Sequence, residues 1–289
     1  MPTIRTNDAE TYYERRGSGQ PIVFLHGAIL DHSQWDRQVD ALSEQFTTIT
    51  YDVRGHGRTG RTRRNPYSIE LFAEDLGALL GGLDLEQPVL CGHSMGGCIA
   101  QVYAARHPER VAGLVLSSTF GPPVLSRSEW LQRSLGLRST VPPVRVFGYE
   151  RVEKAMVGLT ELFQREASGD YDAIEALRAD APPMTTDEFV KVIRSVDSFR
   201  RSNVDLAAIT MPTLVLYGEN EPGFVRQHAA RFAATLPDVA VERLPGSGHA
   251  SNLDDPERYT ETLERFLENR VDPDQSEALM DESGSEQST

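Results

Sequence analysis

Gly92-His93-Ser94-Met95-Gly96 places a serine between two glycines, each two residues away. In a chain of this length, composition alone would produce that spacing about 0.1 times. The motif follows the apolar run Pro88–Cys91 and precedes a segment with helical patterning, so Ser94 falls on a sharp strand-to-helix turn that exposes its hydroxyl. Glycines on either side remove Cβ atoms that so tight a turn would crowd. A serine hydroxyl is a weak nucleophile until a neighbouring base takes its proton, so the chemistry implied is attack on a carbonyl carbon, and it demands a histidine elsewhere in the chain. The competing explanation is an ordinary Gly-Ser turn in which Ser94 caps the helix.

Of seven histidines, His249 stands in Pro245-Gly-Ser-Gly-His-Ala, a glycine-rich loop after the last strand pattern, where its ring can swing over the edge of a sheet. His26, His56 and His93 sit beside glycines and read as structural turn residues. His107 precedes Pro108 at a helix end, and His32 and His228 read as loop or helix-surface positions. A base needs a carboxylate to fix its tautomer and stabilise the imidazolium, and the order Ser, acid, His puts that acid between 94 and 249. Gly218-Glu219-Asn220-Glu221-Pro222, at the end of an apolar run, offers Glu219 and Glu221, with a linker acid such as Asp205 as a further candidate. Either glutamate could instead be a solvated loop charge.

The elements that must position these groups alternate along the chain. An antiparallel pair is predicted at Thr3–Thr6 and Thr11–Arg15 around an Asn7-Asp8 turn, followed by strands Pro21–Leu25, Phe46–Val53, Val89–Gly92 and Val111–Ser117. Helices are predicted from a Ser33 cap to Gln45, over Ser68–Leu83 and over Met95–His107. Short β-branched runs alternating with amphipathic helices specify an α/β fold with a mostly parallel sheet covered on both faces. From 120 to 210 the rhythm breaks into helix patterns alone: Ser128–Leu137, Glu150–Glu166, Tyr171–Arg178 and Thr186–Phe199. Prolines at 122, 123, 142, 143, 182, 183 and 212 punctuate that helical insertion where its helices should stop and start. Strand Thr213–Tyr217, helix Gly223–Thr235, strand Val239–Leu244 and helix Pro256–Glu268 then resume the pattern. The organisation is therefore a core domain from 1–119 and 211–270, a helical cap at 120–210 and a tail at 271–289. That tail holds six acidic residues, four serines and no lysine or arginine, and is expected to be disordered.

The net charge of −14 would repel a nucleic-acid backbone or an anionic membrane over most of the surface. Lys154 and Lys191 are the only lysines. Acid excess with lysine scarcity is the pattern of a halophilic protein, and it is equally the pattern of a GC-rich genome with ordinary acidity. Cys91 and Cys98 lie in apolar surroundings and read as reduced, buried thiols; two cysteines build no metal framework. The first 16 residues lack an apolar leader, and no run approaches the roughly 18 apolar residues that a membrane span needs. A cytoplasmic protein without cofactor or metal, monomeric or homodimeric, is the expectation.

Five segments give the chain a resemblance to the α/β-hydrolase fold superfamily from Ile22 to Leu267: Phe24-Leu25-His26-Gly27, Asp52-Val53-Arg54-Gly55-His56-Gly57, Gly92 to Gly97, Leu214-Val215-Leu216-Tyr217-Gly218 and Gly248-His249. In that family the acid stands three residues after the glycine that ends this strand, which here is Glu221, a glutamate where aspartate is more frequent. The resemblance also implies an oxyanion hole made by the backbone amides of Met95, after the nucleophile, and Ala28, after His26-Gly27. Arg54 reads as the anchor of its loop. Trp130, Phe147, Tyr149 and Phe163 could line an acyl pocket, or simply pack helices. The first half, with Asp31-His32-Ser33-Gln34-Trp35, is similar to 3-oxoadipate enol-lactonases and related esterases. The implied function is a serine esterase or lactonase acting on a small-molecule carbonyl substrate. Cofactor-free haloperoxidases, which make peracids, and C–C bond hydrolases share the same triad, and a non-catalytic ligand-binding relative is the alternative from outside enzymology.

Overall fold

The computed structural model describes residues 2–149, 151, 152, 182 and 184–271. Among these, β1 (Thr3–Thr6), β2 (Ala9–Arg16), β3 (Pro21–Leu25), β4 (Thr47–Tyr51), β5 (Val89–His93), β6 (Gly113–Ser117), β7 (Thr213–Gly218) and β8 (Val239–Leu244) form one sheet. The order is β1-β2-β4-β3-β5-β6-β7-β8. β1 and β2 form the predicted antiparallel hairpin, with Asn7 at φ 53° in its turn. β2 runs antiparallel to β4, and every pair from β4 across to β8 is parallel. All site loops therefore emerge at one edge, the carboxyl ends of β3, β5, β6, β7 and β8.

The helices are α1 (Asp36–Leu42), α2 (Ile69–Gly82), α3 (Met95–Arg106), α4 (Arg127–Trp130), α5 (Leu137–Phe147), α6 (Thr186–Ser198), α7 (Gly223–Thr235) and α8 (Pro256–Phe266). Central strands are apolar throughout because both faces are covered, and side chains alternate between two cores. Val23, Leu25, Leu90, Leu114 and Leu116 join residues of α2, α3 and α7. Ile22, Phe24, Cys91, Val115 and Leu216 face the other way, onto α1 and α8. There the buried Trp35 ring lies 5.0 Å from Phe24 and 6.0 Å from Tyr259. Each such side chain contributes on the order of 2 kcal/mol through removal of apolar surface from water.

Two local expectations are corrected. The helix expected from a Ser33 cap begins instead with a tight turn over His32–Trp35, capped by Asp31, whose carboxylate accepts the Ser33 amide at 2.9 Å; α1 then ends at Leu42. Asp31 takes the role because its short carboxylate reaches the amide two residues on. Pro142 and Pro143 do not separate helices but lie inside α5, which continues from a wide π-type stretch at Leu131–Gly136. The i−4 carbonyls that the prolines cannot serve belong to Arg138 and Ser139, both exposed residues. The predicted helix at Glu150–Glu166 lies almost wholly, and that at Tyr171–Arg178 wholly, outside the described residues, as do Phe163 and the tail beyond Val271. No helix among the described residues is long and apolar enough to cross a membrane.

Arg54 is the anchor expected of it. Fully buried, it grips Asp75 of α2 through Nε (2.7 Å) and Nη2 (2.8 Å) and reaches Asp8 at 2.7 Å and Thr62 at 3.2 Å, tying the β1–β2 turn and the loop after β4 to α2.

Strand β5, the turn after it and α3 press against β3 so closely that a Cβ on Gly96 would lie 2.1 Å from the Leu25 carbonyl oxygen. Backbone cannot yield as a flexible side chain would, so Gly96→Ala is expected to destabilise the fold by about 2 kcal/mol or more. Urea unfolding checks this; a loss below about 0.5 kcal/mol would mean the close packing is not needed.

Candidate active site

Ser94 stands between β5 and α3 at φ 50°, ψ −110°, a conformation that costs a non-glycine residue about 1–3 kcal/mol. Its neighbours hold it there. The Ser94 amide donates to Ser117 O of β6 at 2.9 Å, and the Ser94 carbonyl accepts from Thr119 Oγ1 at 2.6 Å and from the Cys98 amide at 3.2 Å. A Cβ on Gly92 would lie 2.5 Å from Gly96 C and O, so the turn closes only because both positions are glycine. The result lifts the serine hydroxyl off the sheet edge beside the amino end of α3, where unpaired amides and the helix dipole favour negative charge.

The hydroxyl donates to His249 Nε2 at 3.1 Å. His249 Nδ1–H in turn donates to Glu221 Oε2 at 2.9 Å, with Oε1 at 3.2 Å. The Glu221 side chain is fully buried, whereas the imidazole is 38% exposed. Burial opposes charge on this ring, but the Glu221 carboxylate outweighs it, with help from Asp254, and holds the His249 pKa above its ordinary value. The loop that carries the ring is braced from both sides. The Gly248 amide donates to Asp254 Oδ2 at 2.6 Å, and His93 Nε2–H donates to the His249 carbonyl at 2.9 Å.

His26 explains how the loop after β3 is aimed. Its Nε2 accepts from the Val53 amide at 2.9 Å, so Nδ1 carries the proton and donates to Gly27 O at 2.8 Å. The Leu30 amide reaches the same oxygen at 3.3 Å. Because the peptide is planar and trans, fixing the Gly27 carbonyl fixes the Ala28 N–H in the opposite direction. His26, His56 and His93 are all buried, and burial pushes them down to about 4, 3 and 3, so each stays neutral at pH 7. They serve as directional hydrogen-bonding groups, and His249 alone combines a nearby carboxylate with the serine.

Residues 20–256 match the family model of the alpha/beta hydrolase fold. The chain belongs to that enzyme family. It is 28% identical to a non-heme haloperoxidase of Rhodococcus erythropolis over 93% of this chain and 100% of that one. A thermophilic esterase from Thermogutta terrifontis superposes with TM-score 0.76 at 26% identity, covering 93% of this chain and 98% of its own. The enol-lactonase from Burkholderia xenovorans shares the fold, with TM-score 0.74, 24% identity and coverage of 92% and 99%.

The remaining sequence candidates of this α/β hydrolase fall elsewhere. Glu219 is 40% exposed and braces its loop, accepting the Gly246 amide at 3.0 Å and facing Arg243 at 3.3 Å. Asp205 caps a turn by accepting the Ala207 amide at 3.0 Å. Trp130 and Phe147 are 50% and 60% exposed, and Tyr149 is buried with its ring 4.9 Å from that of Phe189. His228 is not on the surface as read: it is fully buried, accepting from the Gly121 amide at Nδ1 (3.1 Å) and donating from Nε2 to Glu129 (2.8 Å). His32 is likewise buried, 2.7 Å from Asp52; burial opposes its charge, but Asp52 holds its pKa above the ordinary value. Asp31, His32 and Asp52 bring three atoms of metal-ligand type within 4.8 Å of one another, although His32 and Asp52 already satisfy each other. Both thiols are free and buried.

Sequence reading passed over Gln34 and Asn252, two buried amides beside the site. Gln34 enters only within a segment of resemblance and Asn252 not at all, because the pairing that joins them spans 218 residues.

The carboxylate beside His249 has a spectroscopic consequence. NMR titration is expected to give an imidazole pKa above about 6.5 and a strongly deshielded Nδ1 proton, with the pKa falling in Glu221→Gln. A His249 pKa unaltered by that substitution would show that the carboxylate is not its partner in solution.

Proposed function

We propose that this chain is a serine hydrolase that cleaves a small carboxylic ester or lactone through an acyl-enzyme intermediate. The observation that carries this reading is the chain of contacts from Ser94 Oγ through His249 to Glu221, at 3.1 and 2.9 Å. Ser94 attacks the carbonyl carbon as His249 Nε2 takes its proton. The carbonyl oxygen becomes an oxyanion, which the Ala28 and Met95 amides stabilise. Collapse breaks the ester C–O bond, and the leaving alkoxide receives the proton from His249. Water, deprotonated by the same nitrogen, then attacks the acyl carbon and releases the carboxylic acid and free Ser94. Glu221 keeps the Nδ1 tautomer and offsets the imidazolium charge.

In this reading the segment 120–210 is a cap that selects substrates, with Trp130, Phe147 and Tyr149 as candidate contacts. The protein acts in the cytoplasm as a monomer or homodimer, with a small-molecule partner and neither nucleic acid nor membrane. Likeness to the Rhodococcus haloperoxidase supports a second activity at the same site. Hydrogen peroxide replacing water in the second step would give a peracid.

Hydrolysis of short- and medium-chain p-nitrophenyl esters and a simple lactone tests the reading. Ser94→Ala is expected to lower kcat by about 10⁴-fold or more and Glu221→Gln by roughly 10²–10⁴-fold, while Glu219→Gln stays within about twofold. The acid limb of kcat/KM should lie above the ordinary histidine pKa and move to lower pH in Glu221→Gln, because the base works only when neutral. Turnover that survives Ser94→Ala, or failure of a fluorophosphonate to label Ser94, would overturn the proposal.

The charge of −14 supports a halophilic origin. On that view Tm rises between low and multimolar KCl as salt screens surface repulsion, and an unchanged Tm excludes it.

A further inference from the structure

Behind the site, three side-chain amides meet in the core. Gln34, Gln38 and Asn252 are each no more than 1% exposed. Gln34 Oε1 accepts the Gly27 amide at 2.9 Å, one residue before Ala28. Gln34 Nε2–H donates to Asn252 Oδ1 at 3.2 Å, and Asn252 Nδ2–H returns a bond to the Gln34 carbonyl at 3.0 Å. Gln38 holds Asn252 from beyond, donating to its carbonyl at 3.2 Å and accepting from its Nδ2 at 3.4 Å. Asn252 lies three residues after His249, in the helical turn Ser251–Asp254. The network therefore spans from the loop after β3 to the loop after β8, which share no strand pairing.

Resting on the hydrolase reading above, we propose that Gln34 and Asn252 are positioning residues: their reciprocal amide pair sets the Ala28 amide relative to His249 and Ser94. An amide suits this work for two reasons. It donates and accepts at once, so the pair fixes both separation and orientation. It is also neutral, so it adds no charge beside a histidine whose protonation state is tuned by Glu221. With the Gly27 amide held by Gln34 and the Gly27 carbonyl by His26 and Leu30, both polar groups of that residue are engaged, and the donor that follows it has little freedom. Donors that are already aimed need no reorganisation when charge develops on the carbonyl oxygen.

The test uses Gln34→Met, which keeps the volume and removes both side-chain bonds, Gln34→Glu, and Asn252→Ala, all in the full chain beside the parent and Ser94→Ala. In variants that remain folded by circular dichroism, kcat for an ester is expected to fall about 10-fold or more with KM changed less than about twofold, since misplacement by a fraction of an ångström acts on the transition state. Gln34→Met with Asn252→Ala should lose little more than the worse single variant. Gln34→Glu supplies a readout that structural weakening would not move. Its ionised carboxylate can accept from Gly27 but cannot donate to Asn252, whereas the protonated form does both. Burial raises the pKa of that carboxyl, so kcat relative to the parent should climb as pH falls. Folded variants with unchanged kcat, losses that multiply, or a flat pH ratio would overturn the proposal. A parent without Ser94-dependent turnover sinks the hydrolase reading and this one together; a parent that turns over normally beside unaffected variants sinks this one alone.

Discussion

The turn at Ser94 is the constraint on which the rest of the structure depends. A serine at φ 50° is unfavourable in isolation, and it persists because Ser117, Thr119 and Cys98 hold its backbone polar groups while β3 closes the space behind. That grip needs β5 between β3 and β6 in the observed register, with Gly92 opposite Leu25 on one side and His93 opposite Ser117 on the other. It also needs no Cβ at Gly92 or Gly96. Parallel strands buried on both faces supply a frame stiff enough to store the strain, because their packing leaves no room for the turn to relax.

Around this turn the fold manages charge by burial. Four histidines lie within the same layer, and desolvation alone would neutralise them all. Three remain neutral and act as rigid linkers: His26 to Val53 and Gly27, His56 to the carbonyls of Val53 and Arg54, His93 to the carbonyl of His249. His249 differs because Glu221, itself fully buried, faces its Nδ1. The longer glutamate is accommodated where β7 ends: the Glu221 amide turns back to Gly218 O at 3.3 Å, and Arg226 Nη1 holds the Glu221 carbonyl at 2.8 Å.

The helices between β6 and β7 are tied to the core by ionisable groups taken out of water, a costly arrangement that persists where every group has a partner. Glu188 of α6 accepts from Tyr67 at 2.5 Å and from Lys191 at 2.7 Å, and Lys191 also reaches Thr62 O at 2.9 Å. Glu129 meets His228 of α7 at 2.8 Å and Arg133 at 2.6 Å, while the Arg133 guanidinium lies 4.2 Å above the Phe120 ring. These contacts link the segment after β6 both to the loop that follows β4 and to the helix that follows Glu221. Its placement is thereby coupled to the loop after β4 and to α7, the helix that begins two residues after Glu221.

Much of this was legible in the residues. Strands buried on both faces must be short and apolar, so Pro21–Leu25 emerged with its observed bounds and Thr213–Tyr217 within one residue; Val239–Leu244, a half-exposed edge strand, was also legible with its observed bounds. The nucleophile turn was legible because its geometry restricts two positions to glycine, and His249 because a glycine-rich loop frees it. Other features depended on partners distant in the chain. His228 is buried by Glu129, 99 residues away, and nothing near it in sequence distinguishes it from a surface histidine. Pro142 and Pro143 lie inside a helix whose preceding turn includes the exposed Arg138 and Ser139, which the local sequence does not reveal. The sequence by itself determined the fold class and singled out Ser94 and His249 as candidate nucleophile and base, since each leaves a local signature in spacing and glycine content. Only the tertiary structure decided that Glu221 rather than Glu219 or Asp205 meets the imidazole, and that Gln34 meets Asn252. A carboxylate's or an amide's role depends on where its loop is carried, and that is set by strand register and packing across the whole sheet.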